Sequence, residues 1–407
     1  MQHTLSFFEE LKWRGLLYQA TEGAQNALAP GATLYWGFDL TGDSLHIGHL
    51  LGIVTLRRAL EFGMNVIPMP AGGTTMIGDP SGKDAERPIL PLATIRAYRA
   101  KLSAQLRKLL PAQGIRVRIV DNAEWLTKIK FIDFQREVGK FFPINTMLEK
   151  DSVKNRIGRE QGISFAEFSY QLLQAYDFLT LFERYGCTIQ IAGSDQWGNM
   201  VQGVDLIRKK LGKSAYAVSW PLIVNPATGK KFGKTESGES VWLDPRKTHP
   251  FKFYQFFVNC DDAMAQTLMR YFSFKPRAEI EAIERSWDQD RAGRSLHKEL
   301  AYELTAFVHG AAQADQARAI AQILFDKGPE ALAKRDIEFV KRALPFTKLE
   351  PGAQFDLVAS IVSLGLAPSR SEARRLVEQR GVSDTFLFNV YHVIQKGKRE
   401  YGIVELP

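Results

Sequence analysis

His46 and His49 stand three residues apart, with Gly48 between them, in the stretch Tyr35-Trp-Gly-Phe-Asp-Leu-Thr-Gly-Asp-Ser-Leu-His-Ile-Gly-His-Leu-Leu-Gly52. At a helix start this spacing puts both imidazoles on one face. They then sit beside backbone N–H groups that lack helical partners and at the positive end of the helix dipole. The chemistry such a corner offers is anion binding, above all of phosphate. Gly48 has no side chain, so a flat ligand can approach the backbone closely. Two readings compete. A His-x-x-His pair can ligate zinc, but seven His and two Cys in 407 residues, with no second cluster, leave the metal short of ligands. The pair can also be ordinary surface residues.

A second set of cations lies in Asn225-Pro-Ala-Thr-Gly-Lys-Lys-Phe-Gly-Lys-Thr-Glu-Ser-Gly238, which carries Lys230, Lys231, Lys234 and Thr235. A glycine-interrupted loop of this kind can close ammonium groups over a triphosphate. Alone, a Lys-rich loop is usually solvated; beside a phosphate corner it gains meaning. A third set is Tyr170, Gln174 and Asp177 in the strongly apolar stretch 164–182. At helical spacing they form one polar stripe, about 10 Å long. A buried Asp needs partners to offset several kcal/mol of desolvation. The stripe therefore suits an amino acid held at its amino group and at its far end, with Glu167, Glu183 and Arg184 taken as the solvent-facing positions. A stripe turned to solvent is the alternative.

Ala71-Gly-Gly-Thr-Thr-Met-Ile-Gly-Asp-Pro-Ser-Gly-Lys83 invites comparison with a P-loop. The spacing from Gly78 to Gly82 is one residue short, so that reading fails. What remains is a polar loop after a strand, where Asp79 either receives an ammonium group or closes an Asx-turn before Pro80. Gly193-Ser-Asp-Gln-Trp-Gly-Asn199 follows another strand and places Asp195 and Gln196 for contacts to a ribose or a carboxyl group.

The elements that must position these residues follow from periodicity. Strands are expected over 33–38, 65–70, 187–192 and 221–224, with turn chemistry over 39–44, which includes Thr41. Helices are expected over 5–17, from Leu45, over 164–182 and through most of 91–160. Strands alternating with helices imply an α/β fold with a Rossmann-type, doubly wound parallel sheet. Phe131, Phe134, Phe141 and Phe142 are expected apolar anchors of an insertion and dimer surface. Residues 1–224 form the expected catalytic domain, 225–248 the Lys-rich loop and linker, 249–340 a helical domain and 345–407 a small α+β module. In that module Ser369 and Glu372 make a capping box. Arg370, Arg374 and Arg375 project outward, Gly381 ends the helix, and Lys396, Lys398 and Arg399 form a second basic cluster suited to RNA phosphates.

Composition agrees with an ordinary soluble globular protein: 45% hydrophobic and 24% charged residues. A net charge of +8 weakly favours a polyanionic partner. Cys187 and Cys260 give no disulfide framework and fit a reducing, cytoplasmic compartment. No signal peptide or bilayer-spanning run is present, so no membrane role is expected.

His46-Ile-Gly-His49 followed by Lys231-Phe-Gly-Lys-Thr235 resembles the two signature motifs of class I aminoacyl-tRNA synthetases. Tyr35-x-Gly-Phe-Asp39, Gly78-Asp-Pro-Ser-Gly-Lys83, Leu173-Gln-Ala-Tyr-Asp177 and Gly193-Ser-Asp-Gln-Trp-Gly-Asn199 resemble the bacterial-type tyrosyl enzymes. The resemblance runs over essentially the whole chain. It implies a homodimer that charges tRNA with L-tyrosine at the expense of ATP and Mg²⁺, with no DNA partner and no resident metal. It further implies an anticodon-binding helical domain and a C-terminal RNA-binding module like that of a ribosomal protein.

Carried over by motif, Tyr35 and Asp177 would hold the substrate phenol. Asp79, Tyr170 and Gln174 would hold its ammonium, with Gln190 in the same pocket. Asp39, Thr41, Gly48, Asp195 and Gln196 would face ATP. His46, His49, Lys231, Lys234 and Thr235 would stabilise the phosphates. Trp36 and Gly52 depart from the family's pattern near the ribose. The module after Gly381-Val-Ser lacks an Asn-Gly hairpin turn, which predicts a shortened fold there. The tryptophanyl relatives are the nearest rival, disfavoured because an indole has no hydroxyl for Tyr35 and Asp177. An RNA-binding paralogue without activity is disfavoured by the intact His and Lys motifs.

Overall fold

The computed structural model describes residues 5–81, 88–110, 116–149, 153–154, 162–224, 229, 232–233, 238–397 and 400–407. Its contacts divide into two compact units: Met1–Ser240 with Gln266–Lys275, and Val241–Ala265 with Pro276–Pro407.

The first unit is built on a five-stranded sheet. Its strands are β1 (Gln19–Ala20), β2 (Thr33–Asp39), β3 (Asn65–Ala71), β4 (Cys187–Gly193) and β5 (Tyr216–Trp220), in the order β1-β5-β4-β2-β3. All neighbours are parallel except the edge pair β1–β5. The expected strand over 221–224 is not one: β5 stops at Trp220. Pro221 has no N–H to continue a ladder.

The chain leaves β2 for β3 on one side and returns to β4 on the other. The crevice between the carboxyl ends of β2 and β4 is therefore the topological switch point, where such sheets bind ligands. Strand β2 serves both of its faces by alternation. Tyr35 packs on Phe178 (5.2 Å between ring centroids) and Asp39 accepts from the Tyr170 hydroxyl at 3.1 Å, while Trp36 and Phe38 meet the rings that open the next helix.

Among the longer helices of this unit are α1 (Phe7–Arg14), α2 (Ile47–Glu61), α3 (Leu92–Leu109), α4 (Phe165–Tyr185) and α5 (Trp197–Leu211). Helix α1 is shorter than the expected 5–17 because Gly15 closes it in a left-handed conformation, φ 77°. Helix α2 is nearly all buried, and its far end is pinned by Arg58, 2% exposed, which donates to the Tyr271 and Ser273 carbonyls at 3.2 and 2.9 Å. Helix α4 begins at Ser164, whose hydroxyl accepts from Glu167 N, and ends at left-handed Gly186. Glu167, expected outside, is 3% exposed. It sits in the first turn of α4, where the helix dipole favours a carboxylate. Of the four expected aromatic anchors, Phe134 and Phe142 are core residues, Phe141 packs against that core, and Phe131 is exposed.

The second unit contains helices α6 (Pro250–Val258), α7 (Arg277–Gln289), α8 (Ser295–His309) and α9 (Ala311–Gln322). It also holds a mixed sheet of β6 (Phe346–Lys348), β7 (Val382–Leu387), β8 (Tyr391–Lys396) and β9 (Glu400–Glu405), ordered β6-β9-β8-β7. Helices α10 (Leu357–Ser363) and α11 (Arg370–Glu378) pack on that sheet around Ile361, Ala373, Ile394 and Val404. Strands β7 and β8 form a hairpin turned at Phe388 and Asn389, both with φ near +55°, without an Asn-Gly pair. Gly381 is also not the left-handed residue that ends α11; Arg380 is, with φ 55°.

Candidate active site

A cavity of about 420 Å³ opens at the switch point. Every described residue expected to bind substrate or nucleotide lines it: Tyr35, Asp39, Thr41, His46, Gly48, His49, Asp79, Tyr170, Gln174, Asp177, Gln190, Asp195 and Gln196. Lys231, Lys234 and Thr235 lie outside the described residues. Their neighbours Phe232 and Gly233 do not. Phe232 N donates to the Ile223 carbonyl at 2.8 Å. A methyl added to Gly233 would lie 3.6 Å from Gly48 N and 3.8 Å from Ile47. Phe232 and Gly233 thus lie against the start of α2, beside the histidine corner.

Tyr35 and Gln190 are register partners on β2 and β4. Both are buried, and the Tyr35 hydroxyl and Gln190 Oε1 have no hydrogen-bond partner among the described residues. Such orphans are rare and mark a polar demand that a ligand can meet. Asp177 stands by Tyr35, and its charge joins burial in pushing the Tyr35 phenol well above its ordinary pKa. Asp177 is 1% exposed. It accepts from Trp125 Nε1 at 2.7 Å and Asn122 Nδ2 at 2.9 Å. Desolvation outweighs these two bonds and raises its pKa to about 8.

The middle of the cavity is acidic. Asp39 accepts from the Thr74 hydroxyl at 2.9 Å, from Tyr170 at 3.1 Å and from Asp79 N at 3.1 Å. Of the two expectations for Asp79, the structure shows the local turn. Oδ1 accepts from Ser81 N at 3.0 Å, closing a local turn, and Oδ2 faces Gln196 Nε2 at 2.6 Å. Gln174 accepts from Asn199 Nδ2 at 3.1 Å. Burial, with Asp39 and Asp79 adding their charge, pushes the Tyr170 phenol well above its usual range, so it stays protonated and donates to Asp39.

At the far side, His46 is the N-cap of α2 rather than part of it. His46 Nδ1 accepts from Gly48 N at 3.0 Å, and His49 Nδ1 accepts from His46 N at 3.2 Å. Two of the N–H groups expected to face a phosphate are therefore taken up by imidazoles. In exchange, each ring is left with Nε2–H as its donor. The rings lie 4.0 Å apart. Desolvation, then the neighbouring His46, holds the His49 pKa well below 6.5, so it is neutral at pH 7.

Sequence reasoning placed Trp36 near the ribose but missed Phe38, which also lines the cavity, and Asn122 and Trp125, which hold Asp177. Alternation along β2 pointed to Phe38. Nothing local pointed to Asn122 and Trp125, which sit more than fifty residues before Asp177 at a short helix, Ala123–Leu126.

A parallel sheet with a cavity at its switch point and a paired-histidine helix start lining it are the features of a class I aminoacyl-tRNA synthetase. The family model for class I tRNA synthetases of the W and Y type matches residues 29–326. Tyrosine–tRNA ligase from Roseiflexus castenholzii is 42% identical, over 98% of this chain and 99% of its own. The second such ligase of Enterococcus faecalis is 44% identical over the same shares. The solved C-terminally truncated mitochondrial tyrosyl-tRNA synthetase of Aspergillus nidulans aligns with TM-score 0.71 and 30% identity, covering 79% of this chain and 94% of that one. The chain belongs to the tyrosine–tRNA ligases, ATP-dependent enzymes of the bacterial type.

Proposed function

We propose that the cavity binds L-tyrosine against β2 and α4 and ATP against the start of α2, and joins them as tyrosyl-adenylate. The observation that carries this reading is the buried, partnerless Tyr35 hydroxyl beside Asp177 at the closed end of an otherwise polar cavity. A phenol offers Tyr35 an acceptor and Asp177 a donor; a phenyl ring offers neither, and an indole offers an N–H donor but no acceptor for Tyr35. The acidic middle formed by Asp39 and Asp79, with Tyr170 and Gln174, suits the ammonium group. The tyrosine carboxylate then lies toward His46 and His49.

The carboxylate oxygen attacks the α-phosphorus of ATP, the bond to the β-phosphate oxygen breaks, and pyrophosphate leaves. A terminal ribose hydroxyl of tRNA next attacks the activated carbonyl and AMP leaves. No covalent enzyme intermediate is needed; positioning and stabilisation of developing charge carry the first step. The His46 and His49 Nε2–H groups donate to phosphate oxygens, and Lys231, Lys234 and Thr235 close over them from the loop. Asp195, exposed at the rim, and Gln196 face the ribose. Mg²⁺ enters with ATP, held by the phosphates. The described residues contain no group of three His, Cys, Asp or Glu side chains suited to a resident ion.

The physiological assembly is a cytoplasmic homodimer acting on the tRNA for tyrosine. Phe131, Ile132, Ile144 and Phe165 are 59–71% exposed on the first unit, apolar side chains that a second copy could cover. No described helix is long and apolar enough to cross a membrane. In the second unit Arg370, Arg374 and Arg375 are exposed on α11 and present an RNA-facing edge. Lys396 is paired with Glu400 at 3.1 Å; Lys398 and Arg399 lie outside the described residues. Replacing Lys234 by Ala tests the loop's role: adenylate formation should slow with tyrosine affinity kept, and a loss confined to tyrosine affinity would contradict it.

A further inference from the structure

Gly52 occupies an interior position of α2, where glycine costs about 1 kcal/mol relative to alanine. Something must require it. A methyl placed there would lie 2.4 Å from Trp36 Cε2 and 2.5 Å from Trp36 Cζ2, far inside van der Waals contact. The indole of Trp36, 5% exposed, therefore lies directly on the helix backbone. From that seat a chain of rings runs to the phosphate corner. Trp36 meets Phe38 at 4.6 Å between centroids, Phe38 meets His49 at 4.9 Å, and His49 meets His46 at 4.0 Å. Trp36 also faces His49 edge-on at 6.3 Å. Trp36, Phe38, His46 and His49 all line the cavity.

We propose that Trp36, seated in the space Gly52 leaves, is a positioning residue for the nucleotide half of the site, setting the His49 ring through Phe38. Trp36 and Gly52 are then one unit: neither can change alone without moving the imidazole. Tyr35, the neighbour on β2, points to the opposite face, so the effect belongs to ATP and not to tyrosine. The proposal deepens the reading given above and rests on the histidines facing phosphate.

The test compares Gly52→Ala, Trp36→Leu and the double variant in the full-length chain. Steady-state pyrophosphate exchange gives kcat and the KM values for ATP and tyrosine. Misplacing a reacting group by about 1 Å costs up to about 100-fold. Gly52→Ala should therefore lower kcat/KM for ATP by about tenfold or more, with the tyrosine KM unchanged within about twofold. The double variant should recover to the level of Trp36→Leu, because the methyl then has room. Parallel losses for both substrates, or a double variant worse than the sum of the singles, would overturn the proposal.

An activity-independent readout is the NMR shift of the His49 ring protons, which the currents of the Trp36 and Phe38 rings displace. They should move in Gly52→Ala and return toward the Trp36→Leu value in the double variant. A shift unchanged in Gly52→Ala sinks the proposal. His49→Asn with normal ATP kinetics sinks the phosphate reading instead, and the NMR comparison still decides whether Trp36 sets the ring.

Discussion

Replacing Tyr35 by Phe removes one oxygen and nothing else. In the free protein that hydroxyl is buried without a partner, and an unsatisfied buried polar group costs about 1–3 kcal/mol. The variant should therefore fold at least as stably as the parent. Substrate choice should move the other way. Bound tyrosine loses one hydrogen bond, worth about 1 kcal/mol net, while bound phenylalanine no longer faces an orphaned Tyr35 hydroxyl. Together the two effects shift the preference by about 1–3 kcal/mol, which is about 5- to 150-fold in the ratio of kcat/KM values. Asp177 stays in place, so tyrosine remains preferred. The assay is pyrophosphate exchange with each amino acid, beside a denaturant unfolding curve. A ratio unchanged within about twofold, or a variant that loses stability, would refute the claim that this hydroxyl is held in reserve for a substrate phenol.

Asp177 gives a pH prediction. Its folded-state pKa of about 8 lies above the unfolded carboxylate value, so the native state holds a proton the unfolded chain has released. Its contribution is full below about pH 4 and is lost as pH rises toward about 8, at up to about 1.4 kcal/mol per pH unit. Asp177→Asn should flatten the unfolding free energy over that window; an unchanged slope would show that the carboxyl is ionised throughout. Changing Arg370, Arg374 and Arg375 together to Gln should weaken tRNA binding and reduce its salt dependence while leaving pyrophosphate exchange intact; normal tRNA affinity would remove α11 from the RNA surface. Phe131→Glu with Ile132→Glu should yield monomers in light-scattering measurements, and dimers of unchanged stability would place the interface elsewhere.

Much of the catalytic unit was legible because strands and helices with one buried face write their period into the sequence. Strand β2 alternates, α4 carries its polar stripe at helical spacing, and turn residues mark the corner between β2 and α2. The misreadings were those in which tertiary context overrode a local rule. Glu167 looked like a surface charge and is buried at a helix start. Residues 221–224 are apolar enough for a strand, yet Pro221 ends the ladder. The β7–β8 hairpin turns on left-handed Phe388 and Asn389; Asn suits that conformation, but Phe388 is a residue turn chemistry does not favour there. At the site, most of the polar residues that line the cavity were readable from motifs. The supports under Asp177, Asn122 and Trp125, were not, because only the folded chain brings them there.

The most direct test is amino-acid-dependent exchange of labelled pyrophosphate into ATP, run with tyrosine, tryptophan and phenylalanine and without tRNA. The account predicts exchange with tyrosine, none with tryptophan and only a trace with phenylalanine. Exchange driven by tryptophan, or none with any of the three, would contradict it.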